Sequence, residues 1–594
     1  AALQLSAGMA SAGLQAASVA VLPDGEYTAS EPVVQLLLGQ WASPGSLLPS
    51  SANAQRATVV ASGNFSDAQQ HKSFFGQLRL ETSSNFPDGL QAFAAGYLEG
   101  YLTASRISQH FANMETWWGQ KEAGLLANVT DWLTEQDAFA RSMAASAVPG
   151  EVSVAGRLVV VLRQLDGLAE GYSAASQADP SIRRLSKAQL LFLNSVGDLL
   201  DLFNMMSSPI PWGGMAPSQL QAAIATAGHC SALVRVTADL SDILMAHSSW
   251  FIYSSMLRIY KHYTLRVAVS SMQAASFSSY PGVLSSLDDF YLHDSGLVLL
   301  QTTNSVFNME LYREVTPKSL LAWQRVRIAN MAADGAEWAA MLAAENSGTY
   351  NNQYMVVDLN KFVKGRALLD GLLTVVEQIP GRGANGVVAR DMTNVLGMGY
   401  WPSFNIPYFR SIYNRSGYKT MLSNVSAWSA SFASAAEGLS YQVAPRAKIF
   451  RRDAGAVTDL ASLKRIMRYN GFPFDPLSGG SPFGAICSRG DLAEESPSPV
   501  GCYDTKVTNL NMARRLEAEA VNGPTTQDGL PPFDWSLFPG SGGREGMPDV
   551  WDFDFELQSP SLPAPGSDMA SFPQPSKTGG GSLRTTRGRG SSVE

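Results

Sequence analysis

The 594-residue sequence predicts an α+β protein with a mostly antiparallel sheet. Hydrophobic residues make up 45% of the chain and charged residues only 16%, a composition typical of a globular protein with a large core. Apolar residues recur three and four positions apart up to about residue 205, which predicts helices. Short alternating or β-branched runs follow Cys230 and predict strands. This succession favours an α+β fold.

Helical periodicity is concentrated before the middle of the chain. Apolar residues three and four positions apart mark Leu158–Tyr172 and Leu185–Met205, and a longer helical pattern runs from Phe93 to Trp132. The Pro- and Gly-rich segment 209–214 interrupts this region. We therefore expect helices to dominate up to about residue 205.

Strand-like runs follow Cys230. They are short, rich in β-branched residues or alternating in polarity, and helical stretches such as Leu320–Met341 lie between them. The predicted strands are Leu233–Val236, Ile243–Ala246, Gly296–Gln301, Tyr354–Val357 and Leu372–Gln378. Together they predict the antiparallel sheet.

The two ends of the chain differ in composition from the rest. Residues 1–74 are rich in Ala, Ser, Gly and Pro, and we expect a variable N-terminal segment there. Residues 1–22 lack a basic flank, so they resemble a trimmed terminus more than an intact signal peptide. Residues 557–594 are rich in Pro, Ser and Gly, which predicts a disordered low-complexity tail.

Charge and hydropathy exclude two classes of interaction. The formal net charge is −8, with Lys and Arg scattered among the acids, so no basic surface for nucleic acid is expected. No run of about 18 uncharged apolar residues occurs, so we expect no transmembrane segment; peripheral membrane contact is compatible with the sequence. Acceptor sequons for N-glycosylation occur at Asn64, Asn128, Asn414 and Asn424, as is typical of secreted chains.

The chain has three cysteines, Cys230, Cys487 and Cys502. The last two lie in a polar, Pro/Gly-rich segment, and a disulfide between them would close a short loop and stabilise the fold by about 3 kcal/mol. Cys230 is then the odd cysteine. Two interpretations of it remain open: a small buried hydrophobic residue and a reactive thiol.

Cys230 begins a predicted hairpin whose polar turn lies at Thr237–Asp242. Pairing of the residues that flank this turn places Cys230 opposite Ser249 or Trp250, with His247 close by. A lone histidine is ordinarily a satisfied core residue. Its convergence with an odd cysteine favours a functional site.

A cysteine at a new N-terminus can act without a separate catalytic histidine. Its free α-amine, with a pKa of about 7.7–8.0, can take the thiol proton and later protonate the leaving group. The sequence has no G-x-S-x-G nucleophile elbow, and none of its six histidines has the spacing of a zinc site. We therefore expect neither a serine lipase site nor a metal or other cofactor.

Ten segments of the chain match motifs of one known family. They are Gly228–Leu233, Ala246–Trp250, Phe277–Gly282, Ser285–Tyr291, Gln301–Asn308, Trp323–Arg327, Ser347–Met355, Glu377–Pro380, Ala444–Asp453 and Cys502–Val507. Each segment is distinctive, and the resemblance covers roughly residues 75 to 555. On these segments the chain resembles the phospholipase B-like (LAMA-type) family.

The resemblance implies the αββα sandwich of N-terminal-nucleophile hydrolases. Precursors of that kind are cut before the nucleophile, which here implies autocatalytic cleavage between His229 and Cys230. The implied organisation is a helical N-terminal fragment at 75–229, which is the pro-region, and a catalytic fragment at 230–556. Together with the sequons, the resemblance implies a secreted or lysosomal protein.

Members of the family are also similar to cysteine-type acylases of the penicillin and bile-salt kind. Those acylases use asparagines and an arginine to hold the oxyanion and orient the amine. By this likeness Asn304 and Asn405 are candidate oxyanion donors, and Arg451, with Arg446 behind it, is the candidate arginine. Removal of one such donor typically costs about 2.7–4 kcal/mol of transition-state stabilisation.

The function implied by the resemblance is release of fatty acyl chains from glycerophospholipids by the Cys230 thiolate. Amide hydrolysis is the first alternative, because the related acylases cleave amides. A catalytically silent, lipid-binding glycoprotein is the second, because His247 and Trp250 stand where those acylases place an Arg and an Asp. The expected partner is a lipid or another acyl substrate.

Overall fold

The computed structural model describes residues 14–21, 35–38, 58–208, 210–227 and 230–561. The described chain is α+β, as predicted. Its strands are β1 (Leu14–Val21), β2 (Gln35–Leu38), β3 (Thr58–Ser66), β4 (Phe75–Thr82), β5 (Ser231–Val236), β6 (Ile243–Ser248), β7 (Trp250–Ile252), β8 (Arg258–Thr264), β9 (Ala274–Ser279), β10 (Tyr291–His293), β11 (Leu297–Thr303), β12 (Asn352–Asp358), β13 (Phe362–Val363), β14 (Ala367–Leu368), β15 (Leu373–Gln378), β16 (Val387–Asp391), β17 (Tyr400–Ser403), β18 (Val500–Cys502), β19 (Asp504–Asn509), β20 (Ala518–Asn522), β21 (Phe533–Asp534), β22 (Val550–Trp551) and β23 (Glu556–Gln558). Its α-helices are α1 (Asp88–Leu102), α2 (Ala104–Trp118), α3 (Ala123–Ala145), α4 (Val154–Ala178), α5 (Lys187–Asn194), α6 (Val196–Met206), α7 (Pro217–Ala227), α8 (Ala322–Ala329), α9 (Gly335–Ala343), α10 (Thr393–Leu396), α11 (Arg410–Arg415), α12 (Tyr418–Trp428), α13 (Ala433–Gly438), α14 (Pro445–Asp453), α15 (Leu460–Met467) and α16 (Leu510–Ala513).

Most of the strands form two sheets. The first has eleven strands in the order β16-β15-β12-β11-β10-β9-β8-β4-β3-β1-β2, and the second has six in the order β17-β5-β6-β19-β20-β23. Within these sheets of the described chain, every neighbouring pair is antiparallel except β4 and β8, which run parallel. Because β4 precedes Cys230 and β8 follows it, the two predicted fragments share one sheet.

The two sheets enclose a common apolar core. Ala232 and Val234 of β5 and Met245 of β6 belong to one buried cluster with Leu300 of β11 and Met355 of β12. Burial of large aliphatic side chains stabilises such a core by about 1.5–3 kcal/mol each. This core fixes β5, and with it Cys230, against the first sheet.

Helices cover the outer face of each sheet. Leu165 of α4 lies in a buried cluster with Phe277 of the first sheet, and Phe450 of α14 lies in another with Leu233 of the second. Successive side chains of a strand point to opposite faces. Leu233 therefore faces the helices, whereas its neighbour Ala232 faces the other sheet.

Helices α1 and α4 approach each other too closely for side chains at the crossing. A Cβ atom on Gly171 would lie 2.0 Å from the backbone oxygen of Tyr97, and one on Gly96 would lie 2.0 Å from that of Gln164. Both obstacles are backbone atoms, which cannot move aside as a side chain can. The crossing therefore requires glycine.

Two predicted helical segments are each divided in the structure. Leu185–Met205 corresponds to α5 and α6, which meet at Ser195, where the hydroxyl donates to the Leu191 carbonyl oxygen. Leu320–Met341 corresponds to α8 and α9. The two helices are separate because α9 begins anew after Asp334, whose side chain caps its first turn. Side-chain hydrogen bonds to the backbone thus interrupt a continuous apolar pattern.

The described chain extends past the predicted start of the tail at residue 557. Strand β23 pairs with β20, and the Gln77 side chain donates to Gln558 Oε1 at 3.0 Å. Leu557 and Gln558 are thus held by a strand ladder, and Gln558 also by a buried side-chain bond. The rest of the predicted tail, 562–594, lies outside the described residues. At the other end, β1, β2 and β3 fall within the predicted variable segment 1–74.

Candidate functional site

Cys230 directly precedes β5 and is only 3% exposed. Its φ is +89°, a region that a residue with a Cβ rarely adopts. Helix α7 ends at Ala227, and His229, the residue predicted to precede the cleavage point, lies outside the described residues. The chain is continuous through this point, so the nitrogen of Cys230 is here a peptide nitrogen.

Two strand ladders flank the cysteine. In the β5–β6 hairpin Ser231 lies opposite Ser248, so the next position places Ser249 opposite Cys230. The β5–β17 ladder ends at the pair of Ala232 with Ser403, and beyond it Asn405 Nδ2 donates to the carbonyl oxygen of Thr303. The hairpin register is the predicted one. Ser249 and Thr303 line a cavity together with Cys230, and Asn405 is connected to that cavity through Thr303.

The thiol of Cys230 is protonated in the uncut chain. Burial raises its pKa to about 12, against a smaller opposite effect of the Trp250 backbone N–H, which bonds to the sulfur. A thiol is a weak nucleophile compared with its thiolate. The odd cysteine is therefore buried and protonated, as the first interpretation expects, and its role as a reactive thiol stays a prediction.

Arg446 is the arginine that reaches Cys230. Its Nη1 donates to the Cys230 carbonyl oxygen at 2.6 Å and to Ser231 Oγ at 3.2 Å, and its guanidinium lies 4.3 Å from the ring centroid of Trp250. Arg446 is in the first turn of α14, which begins at Pro445. One cation thus joins the start of β5 to the indole.

The expectation for Arg451 is wrong. Its side chain is exposed and donates to the Gln442 carbonyl oxygen. Five residues of an α-helix span about 500°, so Arg446 and Arg451 point to faces of α14 about 140° apart. Only one of them can face the cysteine.

His247 lies near the cysteine but is not poised as a base. Its Nε2 lies 2.8 Å from the Gln301 carbonyl oxygen, to which it donates, and burial lowers its pKa to about 3. The ring is therefore neutral, with its proton on Nε2. His247 lies opposite Ala232 in the ladder, two positions from the pair that Ser249 makes with Cys230. It joins the second sheet to β11.

A buried ionic cluster lies directly behind Ser249. The ammonium of Lys506 contacts Ser249 Oγ at 2.6 Å, Asp288 Oδ2 at 2.7 Å and Asp504 Oδ1 at 2.7 Å. Arg258 pairs with the same two carboxylates, at 3.0 Å and 2.5 Å. All four charged side chains are at most 2% exposed. Two positive charges therefore balance two negative charges.

The same cluster contains donor atoms of the metal-ligand type. Ligand atoms of His247, Asp288 and Asp504 lie within 4.8 Å of one another. Lys506 and Arg258 already neutralise both carboxylates, so we assign no metal to this group. These residues were not among the site residues expected from the sequence. Asp504 and Lys506 lie two positions apart on one face of a strand, and this spacing is the sequence feature that could have indicated an ion pair.

Asn405 and Asn304 differ in their relation to the cysteine. Asn405 has a φ of +70° and donates from Nδ2 to the Thr303 carbonyl oxygen at 2.7 Å. Asn304 is buried, and neither polar atom of its side chain has a hydrogen-bond partner among the described residues. Its neighbour Thr303, which the sequence analysis overlooked, lines a cavity together with Cys230.

Two cavities meet this region. The smaller, about 20 Å³, is lined by Cys230, Ser249, Trp250 and Thr303 among others. The larger, about 50 Å³, is mostly apolar and lies between α7, α13 and α14, and its wall includes Arg446 and Asn405. Side chains of α7, Gln221 and Ile224, form part of that wall. The helix before the predicted cleavage point therefore helps to close the larger cavity.

The disulfide between Cys487 and Cys502 is present as predicted, and the two cysteines are 15 positions apart in the sequence. Both cysteines are buried and pack against Trp250. The bridge therefore supports the indole that contacts Arg446.

The four sequons differ in accessibility. Asn128, Asn414 and Asn424 are exposed, whereas Asn64 lies in β3 and is 2% exposed. A glycan cannot be attached to a side chain enclosed in this way, so the expectation for Asn64 is wrong in the folded chain. No helix in the described part of the chain has the length and apolar character needed to cross a membrane.

Comparison with known proteins identifies the family. The model of the phospholipase B family matches residues 61–557. Phospholipase B-like 1 of Rattus norvegicus is 46% identical over 477 residues, which are 79% of this chain and 82% of the rat protein. Phospholipase B-like 1 of Homo sapiens is 45% identical (79% and 81%), and phospholipase B of Crotalus adamanteus is 44% identical (79% and 82%). With most of both chains covered at this identity, the protein belongs to the phospholipase B family.

Proposed function

We propose that the chain is an acyl hydrolase of the phospholipase type, with the Cys230 thiol as its nucleophile after cleavage of the chain before it. The observation that carries the proposal is the position of Cys230, directly before the interior strand β5 and in the wall of a cavity that it shares with Ser249 and Thr303. The names of the relatives support a lipid ester as the substrate. The layered arrangement of helices and two sheets supports the αββα N-terminal-nucleophile fold.

Cleavage converts an inert cysteine into a reactive one. In the uncut chain the thiol has a pKa of about 12 and no amine beside it. Cleavage creates an α-amine with a pKa of about 7.7–8.0 on the same residue, which can accept the thiol proton. We propose that the Cys230 sulfur performs this cleavage itself. The sulfur bonds to the carbonyl carbon of His229, the bond from that carbon to the Cys230 nitrogen breaks, and the thiol proton passes to the departing nitrogen, which becomes the α-amine. Water then hydrolyses the thioester to the carboxylate of His229 and restores the thiol.

The same chemistry then applies to a substrate ester. The sulfur bonds to the ester carbonyl carbon, and the oxyanion receives hydrogen bonds from the Asn304 or Asn405 amide, with the neighbouring Thr303 hydroxyl as a further donor. The C–O bond breaks, the α-amine returns its proton to the leaving alcohol, and a thioester remains on Cys230. Water attacks the thioester, which releases the fatty acid and restores the thiol.

The larger cavity is the proposed site of the acyl chain. Its wall carries Phe307, Phe404 and Ile406 beside the polar Arg446 and Asn405. An apolar wall with few polar groups at one end suits the start of a fatty acyl chain, with its carbonyl toward Arg446, which contacts Cys230. At about 50 Å³ the cavity must widen to hold the rest of the chain. Because α7 is part of this wall, cleavage after His229 frees the C-terminal end of α7 and widens the cavity.

An amide is the second candidate substrate. The proposed self-cleavage is itself hydrolysis of a peptide bond, so the same groups can in principle act on an N-acyl amide. We further propose a secreted or lysosomal glycoprotein with glycans at Asn128, Asn414 and Asn424, because these three sequons are exposed and the disulfide is typical of an oxidising compartment. A silent lipid-binding protein is the remaining alternative.

The proposal is tested by intact-mass measurement and N-terminal sequencing after incubation at acidic pH. The wild type is expected to yield a fragment that begins at Cys230. Cys230→Ser is expected to be cut at the same position more slowly, and Cys230→Ala is expected to stay uncut. The cleaved wild type is then incubated with phosphatidylcholine in mixed micelles, and with an N-acyl amide, and free fatty acid is measured. Lipid binding without fatty acid release from either substrate would favour the silent protein.

A further inference from the structure

Glu377 is a fully buried carboxylate on β15 that bonds to neutral groups. Its Oε1 accepts from the Gln353 side chain at 2.6 Å and from the Tyr408 backbone N–H at 2.6 Å. Its Oε2 accepts from the Phe409 backbone N–H at 3.0 Å. Buried carboxylates are ordinarily paired with a cation. This one instead holds the backbone of a loop.

The surroundings of the carboxylate carry no positive charge among the described groups that face it. Gln353 of β12 and Val388 of β16 lie opposite Glu377 in their ladders. Trp401 of β17 donates to Gln353 Oε1 at 3.2 Å. The titratable group that faces it is the Tyr441 phenol, whose pKa is raised by burial and further by the Glu377 charge. The phenol therefore stays neutral while Glu377 titrates.

The loop that Glu377 holds carries Asn405. Only four positions separate Asn405 from Phe409, and the Tyr418 hydroxyl holds the other side of the loop by donating to the Asn405 carbonyl oxygen at 2.6 Å. The Tyr408 ring packs on Trp401, with centroids 4.8 Å apart. Asn405 also donates from its backbone N–H to Thr302 Oγ1 and from Nδ2 to the Thr303 carbonyl oxygen, and Thr303 lines a cavity with Cys230. Glu377 thus holds one end of a short segment whose other end, Asn405, lies next to the lining of the Cys230 cavity.

We propose that Glu377 is a positioning residue, whose ionised carboxylate holds the Asn405 loop against the Cys230 strand and whose protonation loosens it. The catalytic consequence rests on the proposed function; the structural one does not. The ionised group offers acceptors on both oxygens to the three donors around it. A proton on either oxygen removes an acceptor that faces an N–H group.

The range in which this change occurs follows from burial. Burial raises the pKa of Glu377 to about 7, against the opposite effect of the hydrogen bonds from Gln353, Tyr408 and Phe409. The carboxylate is therefore mostly charged above this value and mostly protonated below it. The Asn405 loop is held firmly at the higher pH and loosely at the lower.

Hydrogen exchange of the full-length chain tests the structural part. We would measure protection of the Tyr408 and Phe409 amides by mass spectrometry about one pH unit below and above the Glu377 pKa, corrected for the intrinsic pH dependence of exchange. Wild type is expected to gain about tenfold protection as the pH rises, equivalent to one hydrogen bond to a charged acceptor. Glu377→Gln, which lacks the charge, is expected to stay at the lower value throughout.

Asp391→Asn is the matched control. Asp391 lies on the neighbouring strand β16 and also accepts from backbone N–H groups, of Gly371 and Thr393. Burial by itself would raise the pKa of Asp391, but the hydrogen bonds from Thr393 and Gly371 together outweigh it and the pKa is lowered. Asp391 therefore stays charged across the pH range of the measurement. This variant should keep the wild-type gain. If Glu377→Gln fails to fold, the wild-type measurement still decides, because equal protection at the two pH values would overturn the proposal.

The rate of self-cleavage, or of acyl release once it is found, supplies the second readout. The ratio of the wild-type rate to the Glu377→Gln rate cancels the titration of groups that both chains share. This ratio is expected to be near one below the Glu377 pKa and to rise above it. A ratio independent of pH would reduce Glu377 to a structural residue. Loss of both rates with the exchange result intact would instead refute the proposed function alone.

Discussion

The guanidinium of Arg446 donates to the carbonyl oxygen of Cys230 at 2.6 Å. The same group stacks on Trp250, which in turn packs against the disulfide between Cys487 and Cys502. Three segments far apart in sequence are thereby fixed around Cys230, the residue directly before β5. The geometry needs a planar cation, because one face lies on the indole while the edge donates hydrogen bonds.

Replacement of Arg446 by lysine is expected to slow self-cleavage about 100-fold. The ammonium of lysine cannot stack on Trp250 and donate along the guanidinium edge at once, and a lost charge-assisted bond is worth about 1.5–3 kcal/mol. The rate is followed by intact mass. Arg451→Lys is the matched control and should cleave at the wild-type rate, because that side chain is exposed. Equal slowing by both variants would contradict the assignment.

Cys230 is expected to resist alkylation in the uncut chain at pH values where an ordinary cysteine reacts. Burial raises the pKa of its thiol to about 12, so at neutral or mildly alkaline pH almost none of it is thiolate. Iodoacetamide labelling followed by peptide mass mapping measures this directly. The urea-unfolded chain should label normally, and the cleaved chain should label quickly. Rapid labelling of the folded, uncut chain would show that the thiol is already activated.

Removal of the Lys506 charge is expected to destabilise the fold strongly. Lys506→Met leaves the buried Asp288 and Asp504 with one cation between them, and breaking such a buried pair costs about 3–5 kcal/mol. Urea unfolding measures the free energy of unfolding. Arg313→Met breaks an exposed pair with Glu310 and should leave it nearly unchanged. Similar effects of the two variants would mean that the cluster contributes no more than a surface pair.

A methyl group at Gly171 is expected to disrupt the crossing of α1 and α4. The added Cβ would lie 2.0 Å from the Tyr97 backbone oxygen, so the helices must separate, at a cost of about 1–3 kcal/mol or more. Gly124→Ala on α3 is the control, because nothing lies within 4 Å of its Cβ position and alanine is the better helix former. Thermal unfolding should show a lower midpoint for Gly171→Ala and an equal or higher one for Gly124→Ala.

The sequence by itself determined the features that depend on neighbouring residues. Two apolar runs on either side of a short polar turn specified the β5–β6 hairpin, and the length of the turn set its register, because the residues that flank the turn must pair. Cys487 and Cys502 lie close together in one polar, Pro/Gly-rich segment, and this indicated the disulfide between them. Cys230 was therefore the odd cysteine. Family membership also followed from the sequence, through the succession of long motifs.

Only the tertiary structure decided which polar groups meet at Cys230. The orientation of α14 about its axis directs Arg446, and not Arg451, toward Cys230. The packing of the two sheets brings Thr303 into the same cavity wall as Cys230. The tertiary structure also buried Asn64 and joined Lys506 to Asp288 across 218 positions of the chain. These relations depend on how two sheets and their helices pack. Local patterns fix the elements, whereas the contacts of a site depend on the positions of elements distant in sequence.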